Sequence, residues 1–344
     1  MSFKKRRNER LNFTPLRGLR YTWFASRVLI FIMERVVFGT RGSALALAQT
    51  RSVIAAVRRI RPDLNLEERI VHTAGDRMAD APLAAVGGTG LFTSELERAV
   101  LGGEVDVAVH SMKDLPTTSP EPLVIAAVPP REDPRDALVL PRGSKHAAGE
   151  VSELPLREGA VVGTSSPRRR AQLGYLRPDL QFRDIRGNVD TRLRKVDSGE
   201  YDACILASAG LRRLGLTERA CLPISPEVCL PAPGQGALAV QCLADRSELV
   251  SLLGSLSDEH AVAETAAERA VLRELGSGCR VPVGALARVI NGVLLLQACL
   301  ADPLGERLVR VSVEGDISDP VSVGAKAVEL LLKQGGEEIL HCLA

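Results

Sequence analysis

The sequence predicts an α/β protein of three domains, and three observations carry that expectation. A chain of 344 residues is too long for one comfortable core. From Val36 onward, short β-branched runs alternate with segments of helical periodicity. Two proline-rich interruptions break this rhythm, and the last third changes to hairpin-like runs closed by a helix.

Val36–Thr40 reads as the first strand and Ala44–Ile60 as a helix stopped by Arg61 and Pro62. A second strand is expected at Glu68–His72. A helix follows at Ser94–Leu101, where Ser94-x-x-Glu97 has capping-box spacing, and a third strand at Val105–His110. This β-α-β-α-β order predicts a parallel sheet covered by helices. Pro116–Pro134, with one strand at Leu123–Val128, reads as a crossing between domains. The rhythm restarts with strands at Ala160–Gly163, Gln181–Ile185 and Ala203–Ala207, separated by helices at Pro167–Tyr175 and Val189–Val196. A second interruption, Leu230-Pro-Ala-Pro-Gly-Gln-Gly236, precedes a strand at Ala237–Gln241. Asp258 is placed to cap a long helix running to Leu275. Apolar runs at Val283–Ile290, Val293–Leu300 and Leu308–Val313 follow, with the hairpin signal Asn291-Gly292 and a last helix at Val321–Leu332. The expected division is a basic, disordered extension at 1–32, a first domain of 33–130 with 235–255, a second of 131–234, and a third, α+β, of 256–344.

Apolar residues are ordinary in amount and aromatic ones are 3%, so Leu, Val, Ile and Ala must fill the cores. The net charge of +2 hides an asymmetry. Residues 1–32 hold eight Lys/Arg against Glu9, which leaves 36 basic and 41 acidic residues, about −5, for the body from Met33. A mildly acidic body argues against a nucleic-acid binder. The head is Arg-rich like a transit peptide but poor in Ser, and its apolar stretch Val28–Met33 is short for a secretory signal. The plainer expectation is an extension without a fold, or an upstream start with Met33 as the working one. No run of the sequence is long enough to span a membrane. Seven cysteines without a C-x-x-C pair fit neither a zinc site nor a disulfide framework, and suggest reduced thiols in a cytoplasmic compartment. The five histidines form no ligand pair, so no metal site is expected.

In open parallel sheets, ligands bind beyond the carboxyl ends of the strands, at helix N-termini. Four such junctions carry cations here. Gly39-Thr-Arg-Gly-Ser43 offers Arg41 and a capping Ser43. Gly163-Thr-Ser-Ser-Pro-Arg-Arg-Arg170 puts Ser166 at an N-cap, Pro167 at N1, and Arg168 and Arg169 in the first turn. The helix dipole disfavours cations there by a few tenths to about 1 kcal/mol, unless an anion binds beside them. Asp184-Ile-Arg-Gly-Asn-Val-Asp-Thr-Arg192 adds Arg186 and Arg192, and Ala207-Ser-Ala-Gly-Leu-Arg-Arg213 adds Arg213. Any one of these alone reads as a solvated surface charge. Their recurrence at four strand ends points to a ligand with several carboxylates or phosphates.

A fifth junction ends its strand in His110-Ser-Met-Lys-Asp-Leu-Pro116. Asp114 is either a surface-turn aspartate or the one carboxylate in a cationic cleft, able to stabilise a transient cation or hold an N–H donor. Cys279 sits in Gly276-Ser-Gly-Cys-Arg-Val-Pro282, between a helix and a strand, where glycines expose the thiol and Arg280 favours its thiolate. An ordinary loop thiol is the competing expectation. The other cysteines lie mostly in apolar runs. Gly87-Gly-Thr-Gly90 lacks the spacing of a dinucleotide loop and reads instead as a mobile loop carrying Phe92 over the cleft.

Taken together, the stretches from Gly39 to Thr50, Gly87 to Glu97, Val109 to Pro116, Gly163 to Leu173, Ile185 to Leu193, Leu230 to Leu238 and Gly278 to Gly284 resemble the porphobilinogen deaminase family. The resemblance implies two periplasmic-binding-protein-like (type II) α/β domains around a cleft, plus a small C-terminal α+β domain. It implies that four porphobilinogen molecules are condensed head to tail with loss of ammonia, and that hydrolysis then frees hydroxymethylbilane. A dipyrromethane cofactor is implied, joined by a thioether to Cys279. Asp114 matches the family's catalytic aspartate, which would stabilise an azafulvene-like cation. Ser43, Lys113, Arg168, Arg169, Arg186 and Arg213 match cofactor-binding positions, and Arg41, Arg192 and Phe92 substrate-binding ones. The expected partner is porphobilinogen alone, without nucleic acid or membrane, for a cytoplasmic monomer. Many relatives read G-K-G-L-F with a further lysine nearby, where this chain has Thr89 and Ser94, so the segment over the cleft carries less charge. Two rivals make different demands. A two-lobed solute-binding protein would need the arginines but neither Cys279 nor a third domain. A thiol-dependent transferase would need a base beside Cys279, which no sequence feature supplies.

Overall fold

The computed structural model describes residues 19–22, 30–71, 93–144, 149–216, 219, 221–276 and 281–341. Phe92, Cys279, the glycine run 87–90 and most of the extension lie outside them.

The first lobe is a five-stranded sheet of β3 (Arg35–Thr40), β4 (Asn65–Ile70), β5 (Val107–Ser111), β6 (Leu123–Ala127) and β12 (Leu238–Leu243), ordered β4-β3-β5-β12-β6. Its helices are α1 (Ala44–Ile60), α2 (Ser94–Leu101) and α6 (Ser247–Gly254). β3 is buried on both faces, and its alternation divides the core. Val36 and Phe38 pack into the cluster that includes Val53, Val57 and Val240. Val37 faces the opposite cluster, with Leu96 and Val100 of α2. Gly39 is small of necessity, because a Cβ there would lie 2.9 Å from the Val105 side chain.

The second lobe repeats the plan with β7 (Asp136–Val139), β8 (Val161–Gly163), β9 (Gln181–Arg183), β10 (Ala203–Ala207) and β11 (Cys221–Pro223), ordered β11-β7-β10-β8-β9. Its helices are α3 (Pro167–Leu176), α4 (Val189–Asp197) and α5 (Ser208–Arg213). The third unit is an antiparallel sheet of β13 (Val283–Ile290), β14 (Val293–Ala301) and β15 (Leu308–Asp316), covered by α7 (Glu259–Glu274) and α8 (Pro320–Leu331), with α9 (Glu337–His341) at the end. Its core joins Ala267 and Val271 of α7 to Leu294, Leu296 and Val313 of the sheet and to Ala327 and Leu331 of α8. Asn291 and Gly292 both have positive φ, 51° and 79°, which closes the β13–β14 hairpin as the dipeptide indicates.

This is the expected fold class of two α/β lobes and a small α+β unit, with three local corrections. The sheets are not wholly parallel: β12 runs antiparallel to β5 and β6, and β7 antiparallel to β10 and β11. Each of these strands is entered by a crossing from the other lobe and so starts at the edge where its parallel neighbours end. The capping box at Ser94 does not form, since Thr93 occupies the N-cap and Ser94 Oγ turns to Glu95. At the extension and its boundary, β1 (Leu19–Thr22) pairs antiparallel with β2 (Ile30–Met33), a pairing the sequence pattern does not indicate. Strands β7 and β11 and helix α6 were not legible in the sequence pattern; β7 is four residues and β11 three.

Candidate active site

Both crossings and the carboxyl ends of the parallel strands meet at one edge. In the first lobe, Ser43 caps α1 by accepting from Ala46 N at 3.3 Å, with Arg41 partly buried just before it. β5 ends in a short 3₁₀ turn, Met112–Asp114, which leaves Asp114 exposed. Two tethers fix that turn. Met112 N donates to Ala237 O at 3.0 Å, and Arg269 of α7 donates to Leu115 O at 3.1 Å and Pro116 O at 2.6 Å. The third unit therefore holds the backbone that follows Asp114.

In the second lobe, Arg168 and Arg169 stand in the first turn of α3 but are buried, at 6% and 7% exposure. The counter-ion that makes this tolerable is internal. Asp136, fully buried at the start of β7, pairs with Arg168 Nη2 at 2.8 Å and with Arg169 Nη2 at 2.6 Å. Burial opposes ionisation of Asp136, but Arg168 and Arg169 overcome it and hold its carboxyl well below the usual range. The expectation that both arginines present bare charge to a ligand is corrected to that extent. Ser166 takes the N-cap position without a side-chain cap bond.

The remaining cations are less well neutralised. Arg192 Nε donates to Gly187 O at 2.9 Å, Arg213 Nη2 to Gly236 O at 2.7 Å, and Lys113 Nζ to Gln235 Oε1 at 3.2 Å. Among the described residues these three cations meet only carbonyl or amide oxygens. Burial, with Arg169 and Arg186 nearby, pushes Arg192 below its ordinary value, and burial does the same to Arg213. Burial brings Lys113 down to about 8; Asp114 and Asp136 oppose that fall, while Arg169 and Arg168 add to it. The same electrostatic neighbourhood thus joins Lys113 and Asp114 of one lobe to Arg168, Arg169, Arg186 and Arg192 of the other. A side chain at Gly210 would meet Leu45 of α1 at 3.5 Å, a measure of how closely the lobes approach beside it. Part-buried cations short of carboxylate partners, beside one exposed carboxylate, suit a ligand carrying several acids of its own.

Other reactive side chains do not fit that chemistry. Burial pushes the thiols of Cys204 and Cys229 up to about 12 and that of Cys242 to about 11, so none is a ready thiolate. His110, buried on β5, is brought down to about 4 and stays neutral near pH 7.

The residues missed by sequence reasoning are those that brace the cations. Asp136 follows Arg131-Glu-Asp-Pro-Arg135, just past the passage Pro116–Pro134 that reads as a crossing. Gln235 stands between Gly234 and Gly236, which have φ of 75° and 90°; a Cβ at Gly236 would lie 2.3 Å from Glu132 O. That close approach seats the Gln235 side chain between Lys113 and Asp136. Arg131 and Glu268, both buried, join the two crossings to α7 at 2.8 and 2.9 Å.

Comparison with known proteins identifies the family. Residues 36–251 match the family model described as porphobilinogen deaminase, dipyromethane cofactor binding domain, and residues 262–333 match that described as porphobilinogen deaminase, C-terminal domain. A porphobilinogen deaminase of Synechococcus elongatus is 48% identical over 303 residues, 88% of this chain and 93% of that protein. A probable porphobilinogen deaminase of Hyperthermus butylicus is 47% identical, covering 87% and 97%. A porphobilinogen deaminase of Desulforudis audaxviator is 48% identical, covering 89% and 97%.

Proposed function

We propose residue roles from the premise that the chain belongs to the porphobilinogen deaminase family, the enzymes that condense porphobilinogen into hydroxymethylbilane in tetrapyrrole biosynthesis. The family's dipyrromethane cofactor carries carboxylates, and the residues present suit such a group. The observation that carries the proposal is the set of part-buried cations, Lys113, Arg192 and Arg213, that meet only carbonyl or amide oxygens among the described residues. Ser43, Lys113, Arg168, Arg169, Arg186 and Arg213 would hold the cofactor, with Cys279 as its covalent attachment. Arg41 and Arg192 would hold the incoming substrate, with Phe92 beside it. When bound, the cofactor supplies the pyrrole end onto which the chain is extended.

The protein's own part is binding and charge placement. Guanidinium forks fix the substrate acids and so its orientation. Asp114, presented on its tethered turn, faces the positive charge that develops in the substrate as ammonia leaves. Asp136 offsets the charge of Arg168 and Arg169 beside that step, and the substrate's own carboxylates would offset the remaining cations. Sheet membership supports reading 33–130 with 235–255 as one domain, 131–234 as a second and 256–344 as a third. Family expectation adds a cytoplasmic monomer acting on porphobilinogen without nucleic acid or membrane. Among the described residues no helix is long and apolar enough to cross a membrane.

The denatured intact mass of the purified protein, beside Cys279→Ser, tests the proposal. An excess of two linked pyrrole units, absent from the variant, is expected. An unmodified mass after incubation with porphobilinogen would return Cys279 to an ordinary loop thiol and favour the solute-binding alternative.

A further inference from the structure

The cations at the cleft edge are organised by one carboxylate that the proposed chemistry does not itself use. Asp136 Oδ1 receives Arg169 Nε at 3.0 Å, Arg169 Nη2 at 2.6 Å and Gln235 Nε2 at 2.9 Å. Its other oxygen receives Arg168 Nη2 at 2.8 Å and the Cys229 thiol at 3.6 Å. Every direction from which a carboxylate accepts is used, so a ligand has no acceptor to reach on Asp136. The guanidiniums are braced from behind as well. Arg169 Nη1 donates to Ile205 O at 2.8 Å, and Arg168 Nη1 to Leu230 O at 2.5 Å. Gln235 extends the array to the other lobe, since its amide nitrogen meets Asp136 and its amide oxygen receives Lys113 Nζ at 3.2 Å.

Topology explains why one residue reaches all of these groups. β7 runs against β10 with Asp136 opposite Ala207, so its first residue lies at the edge where β10 ends. β12 runs against β5 with Leu238 opposite Ser111, which brings Gln235 beside the Lys113 turn. The two antiparallel strands thus carry a counter-ion and an amide to the edge where the parallel strands deliver cations.

We propose that Asp136 is a positioning residue for this enzyme: as the internal counter-ion of Arg168 and Arg169, and through Gln235 of Lys113, it holds cations of both lobes in one rigid set that receives pyrrole carboxylates. The proposal rests on the reading that these cations hold such carboxylates. Its physical content is preorganisation. Without a fixed anion, neighbouring guanidiniums at a helix N-terminus repel each other and turn to solvent. With it, they are held in place before any ligand arrives.

The test compares Asp136→Asn, nearly isosteric but uncharged, with Asp136→Glu and Gln235→Met. Folding is checked by circular dichroism. Uptake of porphobilinogen by the apoprotein is followed as denatured intact mass, and the loaded fraction is assayed for KM and kcat across pH. We expect Asp136→Asn to slow uptake at least tenfold and to raise KM at least tenfold with kcat changed less than threefold. Asp136→Glu should recover part of both. Gln235→Met removes the acceptor that favours charged Lys113, so the alkaline limb of kcat/KM should move to lower pH. Asp136→Asn that folds, loads at the normal rate and keeps the wild-type KM overturns the proposal. Should that variant fail to fold, a wild-type pH profile and KM for Gln235→Met overturns it instead. Arg192→Leu separates this from the parent reading. Unchanged uptake and KM there would remove carboxylate binding altogether, whereas losses there beside a normal Asp136→Asn would remove only the positioning role.

Discussion

Glu268 offers the sharpest test of how the three units are held together. It is fully buried on α7 and accepts from Arg131 Nη1 at 2.8 Å, Arg131 Nη2 at 2.9 Å, Gly234 N at 2.6 Å and Ala287 N at 2.8 Å. Those donors belong to the first crossing, the second crossing and β13. Glu268→Leu keeps about the same volume but leaves the Arg131 guanidinium buried with Glu264 as its remaining carboxylate, at 3.2 Å. Breaking a buried pair from one side costs about 3–5 kcal/mol. Each stranded N–H costs about 1–3 kcal/mol more, and the losses overlap because they share one centre. A loss of at least about 4 kcal/mol is therefore expected from urea denaturation followed by circular dichroism. Removing both charges, as Arg131→Met with Glu268→Leu, should recover about 2 kcal/mol of this, because no lone guanidinium then stays buried. Hydrogen exchange at the Gly234 and Ala287 amides should quicken in both variants. Glu268→Leu within 1 kcal/mol of wild type, or a double variant less stable than the single one, would refute the assignment of Glu268 as an electrostatic hub.

Three further outcomes follow from the same structure. Lys113, brought to about 8, loses its charge above that pH, so uptake of porphobilinogen by the apoprotein should slow as pH rises through about 8; Lys113→Arg should remove this dependence. The stability sign is opposite: because the folded value lies below that of unfolded lysine, about 10.4, the cost of burying the charge is full below pH 8 and fades as pH rises toward that value. Asp114→Ala should reduce turnover at least a thousandfold while leaving the covalent mass excess and the circular dichroism spectrum in place, and near-normal turnover would remove Asp114 from its role. Asp258→Ala deletes the acceptor for Ala261 N at 2.8 Å and should cost about 1 kcal/mol by denaturant melt; no measurable change would show that solvent caps α7 equally well.

Much of the architecture was legible because it depends on local periodicity. Ala44–Ile60 has the same limits in sequence and structure, since its apolar stripe is long, Ser43 caps it and Arg61-Pro62 stops it. The β13–β14 hairpin follows from Asn291-Gly292 alone. The strand-end cations were found by their spacing from each strand. Strands β7 and β11 were not found, because four- and three-residue strands carry too little periodicity. The Ser94 capping box was a false local signal: Thr93 is buried at 2% exposure and takes the N-cap, which moves Ser94 into the helix.

The sequence by itself determined the three-part α/β plan, the family, and which residue types stand where strands end, since each depends on short-range pattern. Only the tertiary structure decided how those charges are balanced. Arg168 and Arg169 read identically in sequence whether they face a ligand or a buried carboxylate, and Asp136 is more than thirty positions away from them. Electrostatic energy depends on distance in space and on burial, and neither is encoded in spacing along the chain. The antiparallel entry of β7 and β12 brings Asp136 and Gln235 to the cationic edge.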